Sequence, residues 1–368
     1  MEEKKMLKND VAVVGAGLGG ATVAYGLQQK NYRAYLINGS EQDNRTIPDA
    51  KNVLILEGYD GLAGDRSLAL EALQRNKQIL KTISEIEQKI VLCVASGGGS
   101  TGSGNLPYIC DILAANSERI VVPIVLMPRK DEPIQKRLNA YNLAKELMDT
   151  DGIGAIIFVN NESYDDLKRI NAVLVNMLDA FFSDSSASSG SNFDDSEKMK
   201  MLKEPGAFVI AMLSDKRAEE KKTTTQDMIN ALTAKNIFLP INNDGIVGNI
   251  GIINQKNNKL DEHELIKAIG TPENVFIGYN GNVNIACASG LSYPVEYIKK
   301  LGQSAVEEQK ERIEKRKTIS VLDDLNTEEI VIPEVKKKTT KGKRNRISLD
   351  FLNSYRKGVE QYENTCRI

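Results

Sequence analysis

Two glycine-rich stretches in this 368-residue chain carry the backbone chemistry of a phosphate site. The first, GAGLGGA, follows the apolar run Val11 to Val14 and opens a helical pattern. The second, SGGGSTGSGN from Ser96 to Asn105, again follows an apolar strand pattern and again opens a helix. Glycines at Gly15, Gly17, Gly19 and Gly20, and at Gly97, Gly98, Gly99, Gly102 and Gly104, allow backbone amides to close on an anion. A helix N-terminus adds the favourable end of its dipole. Ser100, Thr101 and Ser103 add hydroxyls, and a third loop, GLAGD, brings Gly61 and Gly64. A flexible linker does not account for the second stretch, since linkers do not interrupt a strand-to-helix junction within a domain. The Walker A pattern is absent, because no Lys-Ser or Lys-Thr follows the glycines.

Gly15, Gly17 and Gly20 also fit the G-x-G-x-x-G dinucleotide fingerprint. That site wants an acid about 20 residues on, at the end of the second strand, to hold the ribose. Asn38 stands there instead, with Glu41 close enough to keep a nicotinamide or flavin oxidoreductase open as an alternative.

Other chemistries are narrowed by composition. One histidine, His263, in a helical and exposed context, excludes a histidine triad or a His-rich metal site. Cys93, Cys110, Cys287 and Cys366 have no paired spacing, which reads as free thiols. A formal charge of −2 and 41% hydrophobic residues are ordinary for a globular protein. No apolar run reaches the roughly 18–20 residues of a membrane span, and MEEKKMLKND lacks a signal-peptide core. The expected location is the cytoplasm.

Six apolar runs must position these loops: 11–15, 33–37, 52–56, 90–95, 121–127 and 155–159. Their continuous apolar character predicts strands buried on both faces of a parallel sheet, with amphipathic helices between them. The stretch LALEALQRNKQILKTISEIEQ reads as one such helix, and 163–182 as a long central one. The Ser/Gly-rich SDSSASSGSN then marks a boundary. Beyond it AFVIAML, NIFLPI, NVFIGYN and VNIACASG read as strands of a smaller α+β region. The expected organisation is a doubly wound α/β nucleotide domain over 1–162, a central helix and loop over 163–203, and an α+β domain over 204–293. A charged C-terminal helix over 294–325 and a flexible basic tail over 326–368 follow.

Two phosphate loops, no Walker lysine and a third glycine loop resemble the tubulin/FtsZ superfamily of GTPases. Its G-G-G-T-G-[ST]-G signature is met from Gly98 to Gly104, with Ser100 in place of one glycine. The resemblance implies GTP and GDP as ligands, with Mg2+. It also implies a ribose-binding Glu132 beside Lys136 or Arg137, and base contacts from Asn160 and Asn171, with Asn38 in the same set. Asn192-Phe193-Asp194-Asp195-Ser196-Glu197 resembles the N-x-D-x-x-[DE] loop that family members insert into the next subunit's nucleotide pocket. On that reading Asn192, Asp194 and Glu197 complete hydrolysis in trans; on the other, Asp194 simply caps the following helix.

Within the family, ASGLSYPVEYIKKLG resembles the TubZ branch of plasmid and phage partition filaments. That implies head-to-tail self-assembly in the cytoplasm of a bacterial host, without a membrane. It also implies a TubR-like adaptor on centromere DNA, recruited by the C-terminal tail. The cluster Lys336, Lys337, Lys338, Lys341, Lys343, Arg344 and Arg346 is the expected partner-binding segment. A cell-division or phage-positioning filament, and a filament that does not hydrolyse, stay open. A side chain at Gly102 is expected to collide with phosphate while sparing the fold.

Overall fold

The computed structural model describes residues 7–47, 49–59, 61–183, 193–215, 222–242 and 244–318. In the first half, β1 (Val11–Ala16), α1 (Gly17–Gln29), β2 (Arg33–Asn38), α2 (Glu41–Asn44) and β3 (Val53–Ile55) follow one another. Next come α3 (Arg66–Arg75), α4 (Lys77–Ser84), β4 (Ile90–Ser96), α5 (Ser100–Ala114), β5 (Ile120–Met127), α6 (Ile134–Met148) and β6 (Ala155–Asn160). The second half holds α7 (Leu167–Ser183), α8 (Asp195–Lys203), β7 (Gly206–Leu213), α9 (Thr225–Thr233), β8 (Ile246–Gln255), α10 (Glu262–Ile269), β9 (Thr271–Gly281), β10 (Asn284–Leu291) and α11 (Val295–Thr318). Two compact units divide the chain, residues 1–310 and 311–368; the sheet lies wholly in the first.

All ten strands join one sheet in the order β3-β2-β1-β4-β5-β6-β7-β10-β8-β9. The strands from β3 to β7 are parallel, joined at β6 and β7 through Ala155↔Gly206 and Ile156↔Ala207, and β10 runs antiparallel to both β7 and β8. Strands β1, β4 and β5 are buried almost end to end, as their unbroken apolar runs require.

Sequence and structure part at four places. The expected helix over LALEALQRNKQILKTISEIEQ breaks at Asn76, whose amide donates to the Ala72 carbonyl at 2.8 Å while its Oδ1 accepts from the Glu57 amide. The central helix starts at Leu167, because Ser163 turns back on the Asn160 carbonyl and Asp166 accepts from the Lys168 amide. NIFLPI makes only an isolated bridge, Val159↔Phe238, with Pro240 unable to donate to a ladder. Finally β8, unread in the sequence, is a central strand whose glycines hide it. A Cβ on Gly251 would stand 2.4 Å from the Phe193 ring, so the glycine makes room for that aromatic.

Two glycines tie helix to sheet directly. A Cβ built on Gly20 would lie 2.1 Å from the Val94 carbonyl oxygen, and one on Gly102 would lie 2.7 Å from that of Ala16. This corrects the expectation that a side chain at Gly102 would spare the fold, since an added Cβ there meets the Ala16 carbonyl. Gly20→Ala and Gly102→Val should each lower stability by about 1–3 kcal/mol, the scale of overpacking, read as an earlier urea midpoint. A midpoint equal to wild type would show that the helices can shift to make room.

Candidate nucleotide site

The site lies where the sheet reverses strand order, between neighbours β1 and β4, at the ends of parallel strands where α/β proteins bind ligands. Both following helices start without a side-chain cap: Ala16 precedes α1 and Gly99 precedes α5. Helices α3, α8, α9 and α10 are capped by Asp65, Asp194, Thr224 and Asp261, while α4 and α6, like α1 and α5, are not. The first amides of α1 and α5 are thus left to an acceptor from outside the helix.

The two loops touch. Gly17 has φ +69°, which favours glycine, and a Cβ there would stand 3.0 Å from the Gly102 amide nitrogen. Gly15 is filled by the Gly20 carbonyl and Gly19 by Ser96, while Gly104 packs on the Arg66 carbonyl, so these three serve packing. Gly97 lies against Ala140 and Gly98 against the Lys136 stem. Gly99 differs, because the nearest atom to its added Cβ is 3.9 Å away, and its backbone suits any residue. Ser100 and Thr101 remain half-buried at the first turn. Ser103 is fully buried and its hydroxyl donates to the Gly99 carbonyl, which removes it from the expected phosphate ligands.

The third loop closes beside the second. Gly61 and Gly64 take φ of +84° and +82°. Asn139, buried in α6, donates to the Gly64 carbonyl at 3.1 Å and to that of Gly98 at 3.4 Å. Arg66 donates to the Ser103 carbonyl at 2.7 Å and pairs with Glu146. Neither residue was singled out in the sequence. The available signal for Asn139 was an amide among Ala140, Leu143, Ala144 and Leu147 on the buried face of α6.

The expected ribose and base residues distribute unevenly. Glu132 is half-buried, accepts from the Arg129 amide at 3.0 Å and pairs with Lys136 at 2.9 Å, so Lys136 is its neighbouring cation. Arg137 instead turns inward to the Glu132 carbonyl, Ser304 and Glu308. Asn160 ends β6, half-buried, with Oδ1 accepting from the Glu162 amide. Partial burial raises the Glu162 carboxyl, but hydrogen bonds and charge from Lys130, then the Tyr297 hydroxyl, hold it below its ordinary range. Asn171 is half-buried in the first turns of α7. Gly26 of α1 packs on Val175 of α7, and Lys30 approaches Asp179 at 3.7 Å, so the two helices run in parallel. Four residues back along each, Asn171 comes level with Thr22 near the start of α1. Asn38 is fully buried at the end of β2 and leaves the set of ligand contacts, having no surface to offer.

Asp194 and Glu197 lie at the other end of α7. Lys8, just ahead of β1, binds Asp179 at 2.8 Å, which places the end of α7 at the starting edge of the strands. Phe193 packs there, its ring centroid 6.3 Å from that of Phe181, with Asp194 next in the chain. Ten residues of helix, about 15 Å, separate Phe181 from Asn171. Asp194 caps α8, accepting from the Ser196 amide at 2.8 Å, while Glu197 accepts from the Asp194 amide at 3.1 Å. The hydrogen bond shared with Glu197, then those from Ser196, hold the Asp194 carboxyl down to about 2, so it stays ionised across the neutral range. Asn192 and the basic cluster Lys336, Lys337, Lys338, Lys341, Lys343, Arg344 and Arg346 lie outside the described residues. Among the described residues no group of three His, Cys, Asp or Glu could hold a metal, and no helix is long and apolar enough to cross a membrane.

Residues 10–168 match the family model described as Tubulin/FtsZ family, GTPase domain. The chain is 24% identical over 318 residues to the tubulin-like protein TubZ of a Clostridium botulinum C phage, spanning 84% of this chain and 86% of that protein. Among solved structures it is similar to tail-truncated TubZ of Clostridium botulinum phage c-st, with TM-score 0.73 and 23% identity, covering 83% and 99% of the two chains. It is also similar to a GTPγS-form protofilament of Bacillus thuringiensis serovar israelensis TubZ, with TM-score 0.69 and 15% identity over 86% and 95%.

Gly99 provides the test of the cradle, being the loop position with open space around an added side chain. Gly99→Val should keep the wild-type melting temperature within a few degrees and weaken binding of a fluorescent guanine nucleotide by about 100-fold or more, as expected if three or so anion contacts are blocked. Unchanged binding would place the phosphates elsewhere.

Proposed function

With residues 10–168 a GTPase domain of the tubulin/FtsZ family, we propose that the chain assembles head to tail and hydrolyses GTP at each subunit junction. In this reading the phosphate cradle of one subunit receives Asp194 and Glu197, with Asn192, from the next. The supporting observation is their separation within one chain: the uncapped helices lie at one end of α7 and the acid pair is packed at the other. An intact protomer therefore binds nucleotide without the groups that orient water. The B. thuringiensis relative, solved as a GTPγS-form protofilament, supports nucleotide-bearing assembly of this kind.

Within the cradle the amides opening α1 and α5 bind the phosphates and Gly99 leaves room for them. Glu132 receives the ribose, and Asn160 and Asn171 the guanine edge, each amide able both to donate and to accept. Mg2+ would be held chiefly by the phosphates themselves, a mode this ion favours. Ser100 and Thr101, half-buried at the first turn of α5, offer hydroxyl oxygens of the kind this ion takes. When bound, the ion neutralises developing charge on the β and γ oxygens. By its likeness to TubZ, the filament acts in plasmid or phage DNA segregation, with the tail beyond residue 326 recruiting a TubR-like adaptor on centromere DNA.

Because Asp194 also caps α8, alanine would confuse loss of a helix cap, worth about 1 kcal/mol, with loss of catalysis. Asparagine caps equally well. Asp194→Asn should therefore bind GTP and scatter light as filaments while releasing phosphate at least 100-fold more slowly, giving polymers that persist. Wild-type turnover in that variant removes Asp194 from the mechanism. A wild-type GTP hydrolysis rate per subunit that does not rise with protein concentration would refute completion by a neighbour.

Truncation at Val331 should leave GTP hydrolysis within about twofold of the full chain, because every residue proposed for the nucleotide site and the acid pair precedes it in the sequence. Recruitment of the adaptor–DNA complex should be lost, and in the full chain it should weaken with added salt. Retention of the complex by the truncated protein would dismiss the docking role.

A further inference from the structure

Three side chains join the nucleoside loops to one another and to α11. Arg129 donates to the carbonyls of Asn161 at 3.0 Å, Tyr164 at 2.9 Å and Asp165 at 2.6 Å, fixing the loop after β6 that holds Asn160. Its own amide meets Glu132 at 3.0 Å, in the loop after β5. Glu162 accepts from the Lys130 amide at 2.9 Å and pairs with the Lys130 ammonium at 3.2 Å, closing the same two loops a second time. On its other side Glu162 accepts from the Tyr297 hydroxyl at 3.3 Å, in the first turn of α11. Arg137, buried, donates to the Glu132 carbonyl at 2.9 Å and reaches Ser304 at 3.2 Å and the Glu308 carboxylate further along α11. Between these ties the helices meet closely, because a Cβ on Gly302 would stand 2.7 Å from the Tyr141 ring.

The Glu132 and Asn160 loops thus have α11 as their backing, held by a tyrosine hydroxyl at one point and a buried guanidinium at another. We infer that α11 is a positioning element of the nucleoside site, so that nucleotide occupancy and the docking of this C-terminal helix stabilise each other through Glu162 and Arg137. This rests on the assignment of guanine nucleotide to the cradle. Linkage makes the effect reciprocal: whatever nucleotide adds to the docking of α11, the docking of α11 adds to nucleotide retention.

The test uses the full chain and a fluorescent GDP. First, amide hydrogen exchange across 295–308 is compared with and without GDP; exchange in wild type should slow several-fold when GDP is bound. Second, the triple variant Tyr297→Phe, Ser304→Ala, Glu308→Gln, which touches no proposed ligand contact, should release GDP about tenfold faster, the scale of one or two lost hydrogen bonds. A merely structural helix would melt earlier in the variant without any response to GDP in wild type. Wild-type protein that binds GDP while exchange across 295–308 is indifferent to it overturns the inference, and so does an unchanged release rate in a folded variant. Wild-type protein that binds no guanine nucleotide overturns the assignment of the cradle, and this inference with it.

Discussion

The contact between the two glycine loops is the constraint on which the rest of the structure depends. The backbones of Gly17 and Gly102 approach so closely that a single Cβ on either would reach the other loop or its strand. That approach brings the starts of α1 and α5 side by side, and both starts lack a side-chain cap. Two helix dipoles then point their positive ends at one place, an arrangement that favours an anion without a lysine. The close seat of Gly20 on Val94 fixes the height of α1 above β4, and so the direction in which those amides point. Most glycines of the motif therefore act on the nucleotide indirectly, by letting chain pack on chain. Gly99 alone among those of the second loop keeps open space around it.

From that fixed point the other elements acquire their duties. α7 runs parallel to α1, beginning after the loop that follows β6 and ending where Lys8 anchors Asp179. It is a spacer, and its length sets the distance between the cradle and the acid pair. Phe193, wedged among Phe181, Phe276 and Gly251, anchors the chain just ahead of Asp194. The capping box then orders the two carboxylates at the helix start. A capping geometry and a catalytic one are compatible here, since each keeps Asp194 ionised and exposed.

The side of the site away from phosphate is built differently, from side chains instead of backbone. Arg129 and Glu162 tie the loop after β5 to the loop after β6, and Glu162 and Arg137 tie that region to α11. Buried charge of this kind is costly unless fully paired, and Arg137 meets that condition with three acceptors. Asn139 does the same between Gly64 and Gly98 with a neutral amide.

The sequence by itself determined the local features whose causes are local. Apolar runs bounded by turn residues carry their own strand signal, and a glycine cluster between strand and helix is visible as such, so nine of the ten strands and both loops were legible. The family likeness added Glu132, Asn160, Asn171 and the acids. Only the tertiary structure decided which glycines pack against the chain and which have open space, because that depends on what stands opposite each Cα. It decided that Asn38 and Ser103 are buried, that Asn171 is not, and that Lys136 rather than Arg137 accompanies Glu132. It also revealed β8, whose glycines obscured its pattern, and the roles of Asn139 and Arg129, whose partners lie on other loops. Hydrogen bonds between segments distant in the chain leave no periodicity to read, and that is why the ties around the site came from the fold alone.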